Sequence, residues 1–208
     1  MNLMQSTNTF EEFEKASKEY LQDLFNNREK LRRLIMQVPT NKQLFSLCEH
    51  YDILDKIILC TSDDLKVRLR LHIFGDGYFD RPHNHRWSYT SYILSGEYLH
   101  TIFNIQNESK EPSIENLYPV LIRQEKAGDL YTLHYSQYHS VIAQPDTITL
   151  IMRGPSEKER FRVIDRVTNE SWWQYGVALE SEEEKHKKQM THKQFDEAVE
   201  KLIRIGVI

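Results

Sequence analysis

The chain has 208 residues, 28% of them charged, with a formal net charge of −4. This length suits one domain with a substantial core, and the slight acidity gives no electrostatic basis for nucleic acid as a main partner. The longest apolar runs, at 55–60 and 148–152, are far too short to span a bilayer. We therefore expect neither nucleic acid nor a membrane among its partners.

The N-terminus and the cysteines indicate a compartment. The first twenty residues are acidic and amphipathic, so they lack the pattern of a secretory signal. Cys48 and Cys60 are the only cysteines and form no CxxC motif, which favours two buried thiols over a disulfide framework. The prediction is a cytoplasmic protein.

Residues 1–50 are predicted to form a helical extension. Thr9 can cap a helix whose apolar residues recur at roughly helical spacing, and further helical segments follow on either side of Pro39. Each segment carries one apolar stripe, which is typical of helices that pack on a neighbouring layer.

The pattern then changes to that of β-strands. Residues 65–74 alternate strictly, with leucine, valine and isoleucine on one face and Arg68, Arg70, His72 and Phe74 among the residues of the other. Further short strands are predicted at 86–94, 97–105, 117–124, 129–133, 138–144, 147–153 and 160–167. Many short strands separated by turn residues favour an antiparallel sandwich or barrel.

The last part of the chain returns to helix. Residues 181–190 are highly charged, which indicates a solvated linker or helix face, and Thr191 with Gln194 forms a capping box for a final helix that stops at Gly206. The aromatic stretch at 171–176 is interpreted as a plug that packs the C-terminal segment on the barrel. The predicted organisation is a helical extension at 1–50, a β-barrel at 51–180, and a charged linker with a C-terminal helix at 181–208.

Two histidines, His83 and His85, lie one residue apart beside a predicted strand. On a strand, residues i and i+2 point to the same side, so the two imidazoles are either a chance pair on a wet face or two thirds of a metal site. A third ligand would come from a distant strand. The candidates are His72, His100, His134 and His139.

The spacing around the first pair resembles the first motif of the cupins, small double-stranded β-barrel proteins that bind metals. Gly77, His83, His85 and Gly96 match the positions of that motif, whereas Tyr89 stands where the motif has a glutamate. The resemblance implies a mainly β fold, a single cupin-type jelly roll with N-terminal helices and a C-terminal helix.

The second cupin motif is matched in spacing as well. Gly128 and His139 hold its glycine and histidine positions, while His134, Ser136 and Ala143 replace its proline, glycine and asparagine. The two motifs together place the resemblance over residues 65–155.

The resemblance implies a metal held by His83, His85 and His139, because the glutamate is missing. Such a three-histidine set is similar to that of the thiol dioxygenase branch, the group of cysteine dioxygenase. Three ligands on one side leave open positions for substrate and dioxygen, and the resemblance favours Fe(II), with Zn, Ni or Mn as alternatives. Thr90 stands where animal-type enzymes carry a crosslinked cysteine, so cysteine itself is not a safe choice of substrate.

Four residues are candidates for substrate binding. Arg70 and His72 share the strand face that the resemblance turns toward the pocket, where a guanidinium can bind a carboxylate through a bidentate fork. Arg153 follows on a later strand, and Trp87 can form an apolar wall. The alternatives are a solvated strand face for Arg70 and a turn anchor for Arg153.

Two further residues are candidates for catalysis. Tyr89 has the parity of the histidine pair and can donate to bound dioxygen or act as an acid, although plain barrel filling is an equal alternative. His134 is a candidate donor or acid/base beside the site, with a structural role as its alternative. His50, His100, His186 and His192 are interpreted as surface or structural residues.

The functional hypothesis is a metal-dependent, non-haem dioxygenase that acts on a small anionic molecule, such as a thiol, with that molecule and dioxygen as its partners. One alternative is a cupin isomerase or lyase that uses the metal as a Lewis acid. Another is a non-enzymatic cupin that binds a small ligand. Whether two barrels pair into a homodimer is left open by the sequence.

Overall fold

The structure is a computed structural model that describes residues 9–62, 64, 66–106, 113–176 and 180–208. Within these residues the helices are α1 (Phe10–Asn26), α2 (Arg28–Met36), α3 (Lys42–Phe45), α4 (Glu182–Lys188) and α5 (His192–Ile205). The strands are β1 (Glu49–Tyr51), β2 (Leu54–Thr61), β3 (Arg68–Phe74), β4 (Tyr89–Ser95), β5 (Glu97–Ile105), β6 (Leu117–Lys126), β7 (Leu130–Leu133), β8 (Tyr138–Ala143), β9 (Ile148–Arg153), β10 (Arg160–Ile164) and β11 (Ser171–Tyr175). No helix in this part of the chain is long and apolar enough to cross a membrane.

Two antiparallel layers make up the β-structure. One is a six-stranded sheet in the order β1-β2-β3-β9-β4-β7, and the other contains β6-β5-β8 and the hairpin β10-β11. His83 links the two parts of the second layer, because it bridges His139 of β8 on one side and Val163 of β10 on the other. The mainly β, jelly-roll fold predicted from the sequence is confirmed.

The six-stranded sheet is buried on both faces, as β3 shows. Its leucine and isoleucine side chains pack with those of the helices in one apolar cluster, and Leu69 and Leu71 are fully buried there. Its other face turns Arg70, His72 and Phe74 toward the interior of the barrel. The predicted alternation of this strand is confirmed from Arg68 onward, and Leu65 lies outside the described residues.

Helix α1 begins, and helix α5 begins and ends, at the caps predicted from the sequence. Thr9 accepts a hydrogen bond from the backbone N–H of Glu12, and Thr191 forms the capping box of α5 with Gln194. Gly206 ends α5 in a left-handed conformation with φ of 79°. Helices α1, α2, α3 and α5 contribute to the same apolar cluster, so they cover the outer face of one sheet.

Three strands were missed by the sequence analysis: β1, β2 and β11. In β2 four consecutive residues, Ile57–Cys60, are buried, so the alternation that signals a half-exposed strand is absent. The prediction for 171–176 was wrong. These residues pair with β10 as a hairpin strand, and Trp172, Trp173 and Tyr175 remain 37–42% exposed instead of forming a plug.

Candidate metal centre

The segment that carries His83 and His85 lies before β4, beside the strand as predicted. Backbone hydrogen bonds hold it against β8 and the loop before it. The N–H of His83 donates to the carbonyl of His139 and the N–H of His139 donates back, both at 2.9 Å, while the N–H of His85 donates to the carbonyl of Tyr135 at 3.0 Å. The main chain therefore brings the first histidine motif beside the third histidine.

The three predicted ligands, His83, His85 and His139, come together. Their candidate ligand atoms all lie within 4.8 Å of one another, and the Nε2 atoms of His85 and His139 are 2.8 Å apart. Two nitrogens that share one ion at right angles, each about 2.1 Å from it, would be roughly 3 Å apart. The donor set and the spacing of this pair therefore fit a divalent metal.

The hydrogen bonds that the His83 and His139 rings form at Nδ1 leave their Nε2 atoms available. The Nδ1–H of His83 donates to the carbonyl of Arg81 at 2.7 Å, and the Nδ1–H of His139 donates to Nε2 of His100 at 3.0 Å. Burial lowers the pKa of both His85 and His139 well below the usual value, which keeps these imidazoles neutral. A neutral ring with a bare Nε2 is the form of histidine that binds a metal.

The ligand His139 is connected to a carboxylate, that of Glu125, through the ring of His100. His100 is fully buried, and its Nδ1–H donates to Oε1 of Glu125 at 3.1 Å, while Arg123 donates to the same oxygen. The chain His139–His100–Glu125 fixes the tautomer of the ligand, as outer hydrogen bonds commonly do in metal sites. His100 is therefore no surface residue. The alternation of Tyr98, His100 and Ile102 on β5 was the signal that could have found it.

The three histidines form one wall of a cavity of about 220 Å³. Tyrosines form much of the rest. The hydroxyl of Tyr89 lies 3.4 Å from Nε2 of His139, and the hydroxyls of Tyr98 and Tyr131 are 2.8 Å apart. Burial raises the pKa of all three phenols well above the usual value, so each keeps its proton and can donate it in a hydrogen bond.

The predicted substrate-binding residues lie beside this cavity. The Trp87 ring stacks on His85 with centroids 4.8 Å apart, and the guanidinium carbons of Arg70 and Arg153 lie 5.3 and 5.5 Å from the centre of the Trp87 ring. His72 lines the cavity with a buried Nε2 that has no hydrogen-bond partner among the described residues. Arg153 lines a neighbouring cavity of about 470 Å³, which Arg70 and Trp87 also border.

His134 does not join the other candidates. β7 ends at Leu133, whose side chain points into the barrel, so the next side chain points the other way. His134 packs its ring against Phe10 at the start of α1 and pairs Nδ1 with the hydroxyl of Ser136 at 2.8 Å. The structure therefore does not place His134 beside the three histidines.

No protein-family model matches the sequence, and neither does any curated protein. Solved structures similar to the chain include KdgF from a Halomonas species, with 16% identity over 51% of this chain and 84% of that chain and a TM-score of 0.39. An RmlC-like cupin from Shewanella frigidimarina has 19% identity over 53% and 85%, with a TM-score of 0.39. Ectoine synthase from P. lautus has 13% identity over 58% and 75%, with a TM-score of 0.40.

Proposed function

We propose that the protein is a metal-dependent enzyme, an Fe(II) non-haem dioxygenase that acts on a small anionic molecule. The observation that carries the proposal is the convergence of three imidazoles, without a carboxylate, on one wall of a cavity. Their positions are held by main-chain pairing, so the site is formed before any ligand arrives.

The ligand set itself favours an anionic substrate. Three imidazoles contribute no negative charge, so a divalent ion held by them keeps its full charge toward the cavity. A thiolate or carboxylate that entered the cavity would compensate this charge. Arg70 and His72 line the same space, and the guanidinium is suited to hold a second anionic group of the substrate.

The chemistry that Fe(II) supplies when bound in such a site is the activation of dioxygen toward the substrate. The residues of the chain have supporting roles. His83, His85 and His139 would hold the ion, Tyr89 would donate a hydrogen bond from beside the ligand His139, and Trp87 would exclude water.

The test combines metal analysis with oxygen uptake. The protein is loaded anaerobically with Fe(II) and offered a panel of small thiol acids and small phosphate monoesters in an oxygen electrode, with the His134→Ala variant as the control that keeps the three ligands. We expect oxygen uptake in the wild type and in His134→Ala, and none in His85→Ala. Binding of Fe(II) without oxygen uptake on any substrate of the panel would contradict the dioxygenase assignment.

The second candidate function is a Lewis-acid isomerase or lyase. It is favoured by the pair of protonated phenols, Tyr98 and Tyr131, that lies deeper in the same cavity and could donate protons to a substrate oxygen. Such an enzyme would work without oxygen and with Zn, Ni or Mn. Substrate turnover under nitrogen with one of these metals would therefore favour it over the dioxygenase.

A further inference from the structure

The cavity of about 470 Å³ beside the metal centre contains a cluster of arginines, here called the arginine pocket. It consists of Arg68 and Arg70 on β3, Arg86 in the segment before β4, and Arg153 on β9. Arg68 and Arg153 are direct partners across adjacent strands, a position where like charges repel. Three separate parts of the chain therefore place positive charge in one cavity.

Three arginines of this pocket, Arg68, Arg70 and Arg153, lack a hydrogen-bond partner at Nε among the described residues. These Nε atoms are buried, and Arg153 is only 7% exposed. Burial first, and then Arg70 and the other neighbouring guanidiniums, lower the pKa of Arg153 to about 8. A buried cation without a partner destabilises a fold, so the cluster needs an explanation beyond packing.

The two carboxylates of the described residues that line the cavity, Glu49 and Glu180, form their ion pairs with lysines of the same cavity. Glu49 forms ion pairs with Lys56 at 3.3 Å and Lys188 at 3.1 Å, and Glu180 forms one with Lys188 at 2.6 Å. Among the described residues, none forms an ion pair within 4.0 Å with the four arginines. Glu49 offsets part of the charge of Arg68 and Arg70, but the four arginines outnumber the two carboxylates, so the pocket keeps an excess of positive charge.

One member of the cluster is held rigidly. Arg86 donates from Nε to the carbonyl of Lys158 and from Nη2 to the hydroxyl of Ser156, both at 3.2 Å. Its guanidinium rests on Gly176, where a Cβ would fall 1.6 Å from Nη1. A guanidinium fixed in this way is organised in advance to bind a ligand.

The arginine pocket continues into the cavity of the metal centre. Arg70, Arg86 and Trp87 line both spaces. The Trp87 ring lies between them, stacked on His85 and approached by Arg70 and Arg153. A molecule with an anionic group among the arginines could therefore reach past Trp87 to the histidines.

We propose that the arginine pocket binds a phosphoryl group, and that the substrate of the metal centre is a small phosphorylated molecule. A phosphoryl group carries close to two negative charges and three oxygens that accept hydrogen bonds, whereas a carboxylate is saturated by one or two guanidinium forks. Guanidiniums from three parts of the chain suit the larger anion. Phosphate binding by the pocket stands on the geometry alone, while the identity of the substrate rests on the proposed function.

The test measures inorganic phosphate binding by isothermal titration calorimetry at constant ionic strength. The full-length protein is freed of metal with the uncharged chelator 1,10-phenanthroline, because an anionic chelator would compete for the arginines. The variants are Arg68→Gln and Arg153→Gln, and Arg32→Gln on the exposed surface of α2 is the control with the same change of charge. Acetate and succinate serve as carboxylate probes.

We expect saturable phosphate binding in the wild type and in Arg32→Gln, weakened at least about tenfold in Arg68→Gln and Arg153→Gln. Without phosphate, both variants should unfold at the same or a higher temperature than the wild type, because removing one charge relieves repulsion. Absence of phosphate binding, binding that neither variant weakens, or equally tight binding of succinate would overturn the proposal. Since no metal is present, these results are independent of whether the protein consumes oxygen.

Discussion

His83 and His139 are joined by two reciprocal backbone hydrogen bonds of 2.9 Å, although 55 residues separate them in the chain. His83 also bridges Val163 of β10, so the first ligand lies between two strands of the second layer. The same backbone hydrogen bonds that pair this segment with β8 therefore also place His83 next to His139. A metal site built on main-chain pairing depends little on the flexibility of its side chains.

The three histidines should be individually required for metal binding. We expect His83→Ala, His85→Ala and His139→Ala to lose most of the bound metal, since two remaining imidazoles bind a divalent ion weakly. His134→Ala should keep the wild-type content because its ring lies against Phe10. Inductively coupled plasma mass spectrometry of the purified variants measures this. Full metal content in all three alanine variants would remove the proposed site.

The hydrogen-bonded chain behind His139 should strengthen metal binding. Replacing His100 by Phe keeps a buried ring but removes the partner of the Nδ1–H of His139. We expect the dissociation constant of the metal to rise about 10- to 100-fold. A competition titration with a coloured chelator measures it, with the exposed His186→Phe as control. An unchanged constant would show that His100 only fills space.

Tyr89 should affect turnover more than metal binding. Its hydroxyl lies 3.4 Å from Nε2 of His139, at the edge of the position where substrate would bind. We expect Tyr89→Phe to fold and to bind metal as the wild type does, but to lose about 100-fold in kcat because the proton donor is gone. Steady-state oxygen uptake measures the rate. Loss of metal instead of rate would make Tyr89 a supporting residue of the ligands.

The two glycines of the first histidine motif should differ in importance. Gly77 and Gly96 have nearly the same φ, 71° and 72°, but only at Gly96 would a Cβ clash, 2.7 Å from the Cα of Thr147. Gly77→Ala should therefore lose about 1 kcal/mol from the left-handed conformation alone. Gly96→Ala should lose clearly more. Urea denaturation of both variants measures the free energy of unfolding. Equal losses would show that Thr147 can move aside without cost.

Glu49 should make the free energy of unfolding depend on pH in the acidic range. Burial alone would raise its pKa, but Lys56 and Lys188 outweigh burial and hold the pKa at about 2, below the usual 4.5. A carboxyl with a lowered pKa stabilises the fold above the pKa of the unfolded chain and loses this contribution as the pH falls toward 2.

The measurement is urea denaturation of the wild type and of Glu49→Gln between pH 7 and pH 2.5. We expect a difference of about 2 kcal/mol at pH 7 that shrinks steadily below pH ~4.5. Glu200→Gln on the exposed face of α5 is the control and should match the wild type throughout. A difference that stays constant with pH would refute the role of the ion pairs.

The sequence indicated most of the strands and the three histidines because their signals are local. Strict alternation showed β3, and cap residues showed the start of α1 and both ends of α5. The strand β2 was not predicted because both of its faces are covered, so its sequence lacks the alternation of apolar and polar residues. The position of His134 away from the three histidines could not be predicted, because spacing within a motif does not show which way a side chain points after a strand has ended.

The sequence by itself determined the β-rich fold, the helical caps and the two motifs that carry the ligands, since each depends on residues close together in the chain. Only the tertiary structure decided which side chains meet. It placed His100 and Glu125 behind His139, and it gathered arginines from three separate parts of the chain into one pocket. Such contacts depend on the register between strands, and no local pattern encodes the register of strands that are distant in sequence.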